Sequence, residues 1–197
     1  MTYAIFLLPS EDFQKEIYYW KNKIIKSEID SAYTAHPPHL TIYHFSTSNI
    51  EKCVQQIVSL KLIHNEFDIL IKKKDVFWDD RLTLGHTLYY QPEKNDYLYD
   101  LQLVLANKLK DYVLKSVDME NQLKDDKFLN SYRRYGFPFV GSHWIPHFSI
   151  GSLRVKKEHT IFEDFLSQKN HFNFKISKFS LWEIEGDMHK KLIEFSL

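Results

Sequence analysis

The first apolar run, Tyr3 to Leu8, is continuous rather than alternating, the pattern of a buried strand, and Pro9 ends it. Ser10 follows as a helix cap, and Phe13, Ile17, Trp20 and Ile24 then recur every three or four positions, which places them on one helical face. The stretch HPPHLTIYHF, from His36 to Phe45, opens with prolines that disfavour helix and continues with β-branched and aromatic residues, so it reads as a strand. Ser48-Asn49-Ile50-Glu51 has the form of a capping box at the head of a helix carrying Ile50, Val54 and Ile57. FDILI and LTLGHTLYY read as strands of a hairpin-like pair, with Lys72, Lys73 and Lys74 in a solvated turn between them. The strongest helical pattern runs from Asn95 to Leu114, with Leu98, Leu101, Leu105 and Leu109 facing the core.

Beyond it, residues 115–136 are polar and read as a loop, or a loop with a short helix, able to move over a site. WIPHFSIGSL predicts another strand, EHTIFEDFLSQK a short helix, and HFNFKISKFSLWEIEG with KKLIEFSL a closing pair of strands. The predicted class is α+β, and with no Gly/Ser-rich linker the chain is expected to form a single domain over residues 1–197.

Composition narrows the function. Of the 197 residues, 44% are hydrophobic and 16% aromatic, a packed rather than a disordered chain. The net charge of zero lacks the basic excess of proteins that grip long nucleic acid, so no extended nucleic-acid surface is expected and a small phosphate ester suits the balance better. A single cysteine, Cys53, excludes an intrachain disulfide and reads as a small core residue on a helix. No signal-like or membrane-spanning segment is apparent, so a soluble, cytoplasmic monomer is expected.

The chemistry lies in a pattern that occurs twice, Pro38-His39-Leu40-Thr41-Ile42 and Pro146-His147-Phe148-Ser149-Ile150. Each reads proline, histidine, apolar, hydroxyl, apolar. On a strand, alternation puts His39 beside Thr41 and His147 beside Ser149, with the apolar neighbours turned to the core. From composition alone the ten histidines should yield only about 0.2 sites of the apolar-hydroxyl-apolar form, so a matched pair is unusual.

The doubled pattern resembles the 2H phosphoesterase superfamily, which includes RNA 2′,3′-cyclic phosphodiesterases, once described as 2′-5′ RNA ligases, and plant and fungal cyclic phosphodiesterases. The resemblance implies a bilobal fold, two pseudo-symmetric lobes with sheets facing a central cleft and helices outside. It also implies catalytic roles for His39 and His147, with His147 as base and His39 as acid, and phosphate-binding roles for Thr41 and Ser149. Relative to the RNA-phosphodiesterase branch, Ser149 stands where threonine is usual and Gly151-Ser152 where a basic residue is frequent, the nearest here being Arg154.

Elementary chemistry agrees. Cleaving a cyclic phosphodiester needs one proton taken from water and one given to the leaving oxygen, and imidazole, with an ordinary pKa of about 6.5, serves either need near neutrality, giving a bell-shaped pH dependence. No HExxH, CxxC or Asp-rich motif is present, so neither metal nor other cofactor is expected.

The expected reaction is therefore metal-independent hydrolysis of a small cyclic nucleotide or of a 2′,3′-cyclic phosphate RNA end. Alternatives are 2′-5′ oligonucleotides, cyclic signalling nucleotides, or a nucleotide-binding module without turnover. Further candidate substrate contacts are Tyr43, by alternation from Thr41, and Tyr132, Arg133, Arg134, Tyr135 and Trp144, which combine stacking rings with phosphate-seeking guanidinium groups ahead of the second motif. The other eight histidines, among them His36, His44, His64, His143 and His189, are expected to be structural.

Overall fold

The structure, a computed structural model, describes residues 1–60 and 66–197; His64 lies outside the described residues. In chain order the elements are β1 (Thr2–Leu7), α1 (Glu11–Lys26), β2 (Ser31–Ala32), β3 (Leu40–Ser46), α2 (Ile50–Val58), β4 (Phe67–Asp80), β5 (Gly85–Pro92) and α3 (Asp96–Leu109). They continue with α4 (Val117–Gln122), α5 (Asp126–Tyr135), β6 (Phe148–Leu153), α6 (Thr160–Ser167), β7 (Phe172–Ile176), β8 (Lys178–Glu185) and β9 (Met188–Ser196).

Every strand pairing among the described residues is antiparallel, and the order across the sheet is β7-β4-β5-β6-β3-β1-β8-β9, with β2 beside β6. The expected α+β class is present, but two separate sheets are not. One bonded sheet has two four-stranded halves, β6-β5-β4-β7 and β3-β1-β8-β9, joined at the single pair Leu40–Phe148. Two features limit that seam. Pro38 and Pro146 flank the two strands and carry no N–H to extend the ladder, and β2 takes the far end of β6 through Ser31–Leu153 and Ala32–Ser152.

The predicted helical faces are buried as expected: Phe13, Ile17, Trp20 and Ile24 on α1, and Leu98, Leu101, Leu105 and Leu109 on α3. Each fully buried side chain of this size contributes about 2 kcal/mol of transfer free energy. Each helix also buries one polar residue four positions after a core residue, Lys21 on α1 and Gln102 on α3. Ser10 caps α1 as predicted, whereas α2 is capped by Asn49, whose side chain accepts from the Lys52 N–H, not by Ser48. Lys72 to Lys74 lie within β4 rather than in a turn, because β4 runs unbroken to Asp80. The polar stretch forms α4 and α5, and Gly136 ends α5 at φ 70°, where any Cβ would also meet Val113. Cys53 is a buried free thiol on α2. Among the described residues no helix is long and apolar enough to cross a membrane.

Candidate active site

The two motifs fold alike because the same local devices recur in each. His39 and His147 stand immediately before β3 and β6, and each ring reaches back two residues: His39 Nδ1 lies 2.6 Å from the Pro37 carbonyl and His147 Nδ1 lies 2.7 Å from the Ile145 carbonyl. A carbonyl only accepts, so Nδ1 carries the proton in both rings and donates it. That leaves both Nε2 atoms for chemistry. The following proline in each motif holds its predecessor in extended backbone, which sets the accepting carbonyl in place.

A β-bulge follows each hydroxyl. Against β1 the register passes from Phe6–Thr41 to Ile5–Tyr43, skipping Ile42; against β5 it passes from Tyr89–Ser149 to Leu88–Gly151, skipping Ile150. Alternation therefore holds from histidine to hydroxyl and then breaks. The register of the Leu40–Phe148 pair aligns Thr41 with His147 and His39 with Ser149, and all four side chains line one cavity of about 350 Å³.

The extra carbonyl at each bulge is held from a helix. Gln102 Nε2 donates to Ile42 O at 3.0 Å and to Phe139 O at 2.9 Å, and Lys21 Nζ donates to Ile150 O at 2.9 Å and Tyr33 O at 2.7 Å. Tyr33 adopts φ 69°, a left-handed backbone that a bulky residue rarely takes, and its carbonyl also accepts from the His36 N–H. Gly151, just past the second bulge, is close-packed: a Cβ there would come within 2.9 Å of Thr34.

Around this common frame the surroundings differ. Phe6 stacks on the His39 ring at 3.8 Å between centroids, and His189 lies 5.6 Å away. Burial lowers His39 to about 3, opposed by its bond to Pro37 O, with His189, Lys21 and His36 adding to the lowering. His147 instead meets Phe77 and Tyr89 edge-on at 5.0 and 5.4 Å. Burial lowers it too, while the Ile145 carbonyl and the charge of Asp80 pull it back up. A second cavity, of about 400 Å³, shares Tyr33, Thr41, His147 and Ser149 with the first and is walled by Phe77, Phe128, Phe137, Phe139 and Trp144. Thr41, His147 and Ser149 thus lie between a histidine-rich arm, with His36, His44 and His189, and an aromatic arm.

Of the further candidate contacts, Trp144 alone lines either of these two cavities. Tyr43 is buried, since the bulge at Ile42 turns it to the core, where its hydroxyl donates to Tyr135 O. Tyr132 is buried and its hydroxyl accepts from the Ser116 N–H. Arg133 pairs with Glu120 on the surface, Arg134 lies over the Tyr135 ring, and Tyr135 itself is buried. These four residues belong to α5, whose packing, not the cavity, explains them; the connector after it supplies Phe137, Phe139, His143 and Trp144. Arg154 is also elsewhere, paired with Asp30. Four histidines expected to be structural, His36, His44, His143 and His189, line the two arms. Lys21, Tyr33, Phe77 and Asp80 had no sequence signal; only the phenylalanines flanking Gly136 and Pro138 hinted at an apolar wall.

The structure is similar to TT0787 of Thermus thermophilus, with a TM-score of 0.62 at 13% identity, covering 100% of this chain and 98% of that one. E. coli LigT complexed with 3′-AMP gives 0.59 at 13% identity, covering 99% and 96%. Kluyveromyces marxianus Usb1 gives 0.50 at 11%, covering 100% and 98%. At such identities these likenesses bear on the fold. No curated protein matches the sequence. The model of the 2′-5′ RNA ligase superfamily matches residues 9–188, nearly the whole chain, and the chain therefore belongs to that superfamily of 2H phosphoesterases, whose members act on phosphodiester bonds.

Proposed function

We propose that the protein hydrolyses a small 2′,3′-cyclic nucleotide, or the 2′,3′-cyclic phosphate at an RNA end, without a metal ion, through His39 and His147. The observation that carries this reading is the identical anchorage of two histidines, each donating Nδ1–H to the carbonyl two residues back, with two hydroxyls in the same cavity. Both Nε2 atoms are then free for proton transfer, and Thr41 and Ser149 donate to the non-bridging oxygens as charge builds on them. The aromatic arm beside the hydroxyls suits a nucleobase, and the complex of LigT with 3′-AMP supports a nucleotide as the ligand class.

The electrostatics support a partition of roles opposite to the one the family resemblance implies. Burial lowers both rings; beside it His189, Lys21 and His36 disfavour the charged form of His39 whereas the charge of Asp80 favours that of His147, which suits His39 to the part of the base and His147 to that of the acid. In the step, water oxygen bonds to phosphorus and its proton passes to His39 Nε2. The bond from phosphorus to one ribose oxygen breaks, and that oxygen takes the proton of His147 Nε2–H. The product is a phosphomonoester, and exchange with solvent resets both rings.

The test is turnover of 2′,3′-cyclic mononucleotides by the purified protein with and without excess EDTA. Activity unchanged by EDTA is expected; activity lost with chelator and restored by a divalent ion, or no turnover of any phosphodiester, would sink the reading.

A further inference from the structure

Lys21 carries a charge that its visible task does not need. The residue is 2% exposed, and its ammonium is held by two backbone carbonyls, Tyr33 O and Ile150 O. Among the described residues no carboxylate lies within ion-pair distance of it. An ammonium has three donors, and the structure gives partners for two. Burying a cation without a counter-ion is costly, and burial accordingly lowers Lys21 to about 7. In the other half of the molecule the equivalent bulge is held in the same way by Gln102, which is 0% exposed and neutral. A neutral amide therefore suffices for the structural task.

The position of Lys21 shows what the charge can serve. It lines the same cavity as His39, Thr41, His147 and Ser149, and among the described residues it is the only lysine or arginine on that wall. The arginines that the sequence offered, Arg133, Arg134 and Arg154, are all engaged elsewhere. Resting on the function proposed above, we propose that Lys21 is a phosphate-binding residue, its third N–H meeting a non-bridging oxygen of the substrate while the other two keep hold of the Ile150 bulge and Tyr33. The substrate anion is then the counter-ion that the buried ammonium lacks. The basic groups that Lys21 influences across the cavity are His36 and His39, and a bound anion offsets the repulsion among all three.

The experiment compares wild-type protein with Lys21→Gln for binding of inorganic phosphate by calorimetry at pH 7, and for kcat and KM on a 2′,3′-cyclic nucleotide. Glutamine keeps two donors, as Gln102 does. The expected result is a folded variant whose phosphate affinity falls by about tenfold or more, with a raised KM, as for the loss of a charged hydrogen bond. Equal phosphate affinity in both proteins would overturn the proposal and leave Lys21 a structural clamp. Should Lys21→Gln not fold, NMR of wild-type protein with 13C-labelled lysine decides: phosphate must shift the assigned Lys21 13Cε resonance and raise its titration midpoint, and no change refutes the role. A wild-type protein that neither binds phosphate nor turns over any phosphodiester refutes the function itself, an outcome separate from failure of Lys21 alone.

Discussion

The β3 half and the β6 half use one backbone device with two different electrostatic settings. Each has a proline, an Nδ1-anchored histidine, a hydroxyl, a bulge, and a helix-borne donor on the bulge carbonyl. The side chains around that device diverge. Phe6 covers the face of His39 where Phe77 and Tyr89 present edges to His147; basic neighbours surround His39 where Asp80 attends His147; Lys21 holds one bulge where Gln102 holds the other. Backbone likeness places two equivalent imidazoles on one cavity. On the proposed function, the unlike surroundings suit one histidine to act as base and the other as acid.

The comparison breaks most directly at the histidines. His39→Ala and His147→Ala should each lower turnover by about 10² to 10⁴, and the double variant should fall little further because the pair acts as a unit. A folded single variant with near wild-type turnover would leave only a nucleotide-binding module. The partition of roles is sharpened by a phosphodiester whose nitrophenolate leaving group needs no proton. There the loss for His147→Ala should shrink to about tenfold or less while that for His39→Ala persists, and the reverse pattern would restore His147 as the base.

At the hydroxyls, Thr41→Ala and Ser149→Ala each remove one proposed contact to a non-bridging oxygen, and kcat should fall by about 10 to 10² in each, less than for either histidine. Steady-state kinetics on the same substrate checks this. A loss at one hydroxyl alone would mean that the phosphate sits against a single strand.

Gln102→Leu tests the neutral clamp. It leaves the carbonyls of Ile42 and Phe139 without this donor and frees the Gly141 N–H, which now donates to Gln102 Oε1 at 2.9 Å. Stability to urea should drop by about 2 kcal/mol. Unchanged stability would show that the β3 bulge holds without its helix.

The smallest effect concerns pH. His39 and His147 are both held below their ordinary value in the folded protein, so between the folded values and about 6.5 the unfolded chain binds more protons. Their contribution to stability is complete above about pH 6.5 and declines as pH falls below it, and the melting temperature should follow. In His39→Gln the slope should flatten. The same lowering moves the bell in kcat/KM to the acid side of neutrality, because kcat/KM reports the free protein. A profile centred above about pH 7 would contradict the electrostatic account.

What the amino-acid sequence determined by itself was local. The apolar spacing of α1 and α3, the Ser10 cap and the doubled Pro-His-x-hydroxyl pattern all depend on neighbours within a few residues, and so does the shared face of each histidine and its hydroxyl. Alternation misled at Tyr43 because a bulge is a property of two strands in register, not of one. Composition misled at Tyr132, Arg133, Arg134 and Tyr135, whose ring and guanidinium chemistry is used by α5 for its own packing and ion pair. Only the tertiary structure decided which distant residues complete the site. Lys21 lies in a helix early in the chain and resembles any other helical lysine until α1 packs on β6; Phe77 and Asp80 lie on a strand whose end reaches His147 only through its pairing with β5. Charge and burial at a cavity are sums over elements remote in sequence, and the unlike charges beside two chemically identical histidines follow from that sum.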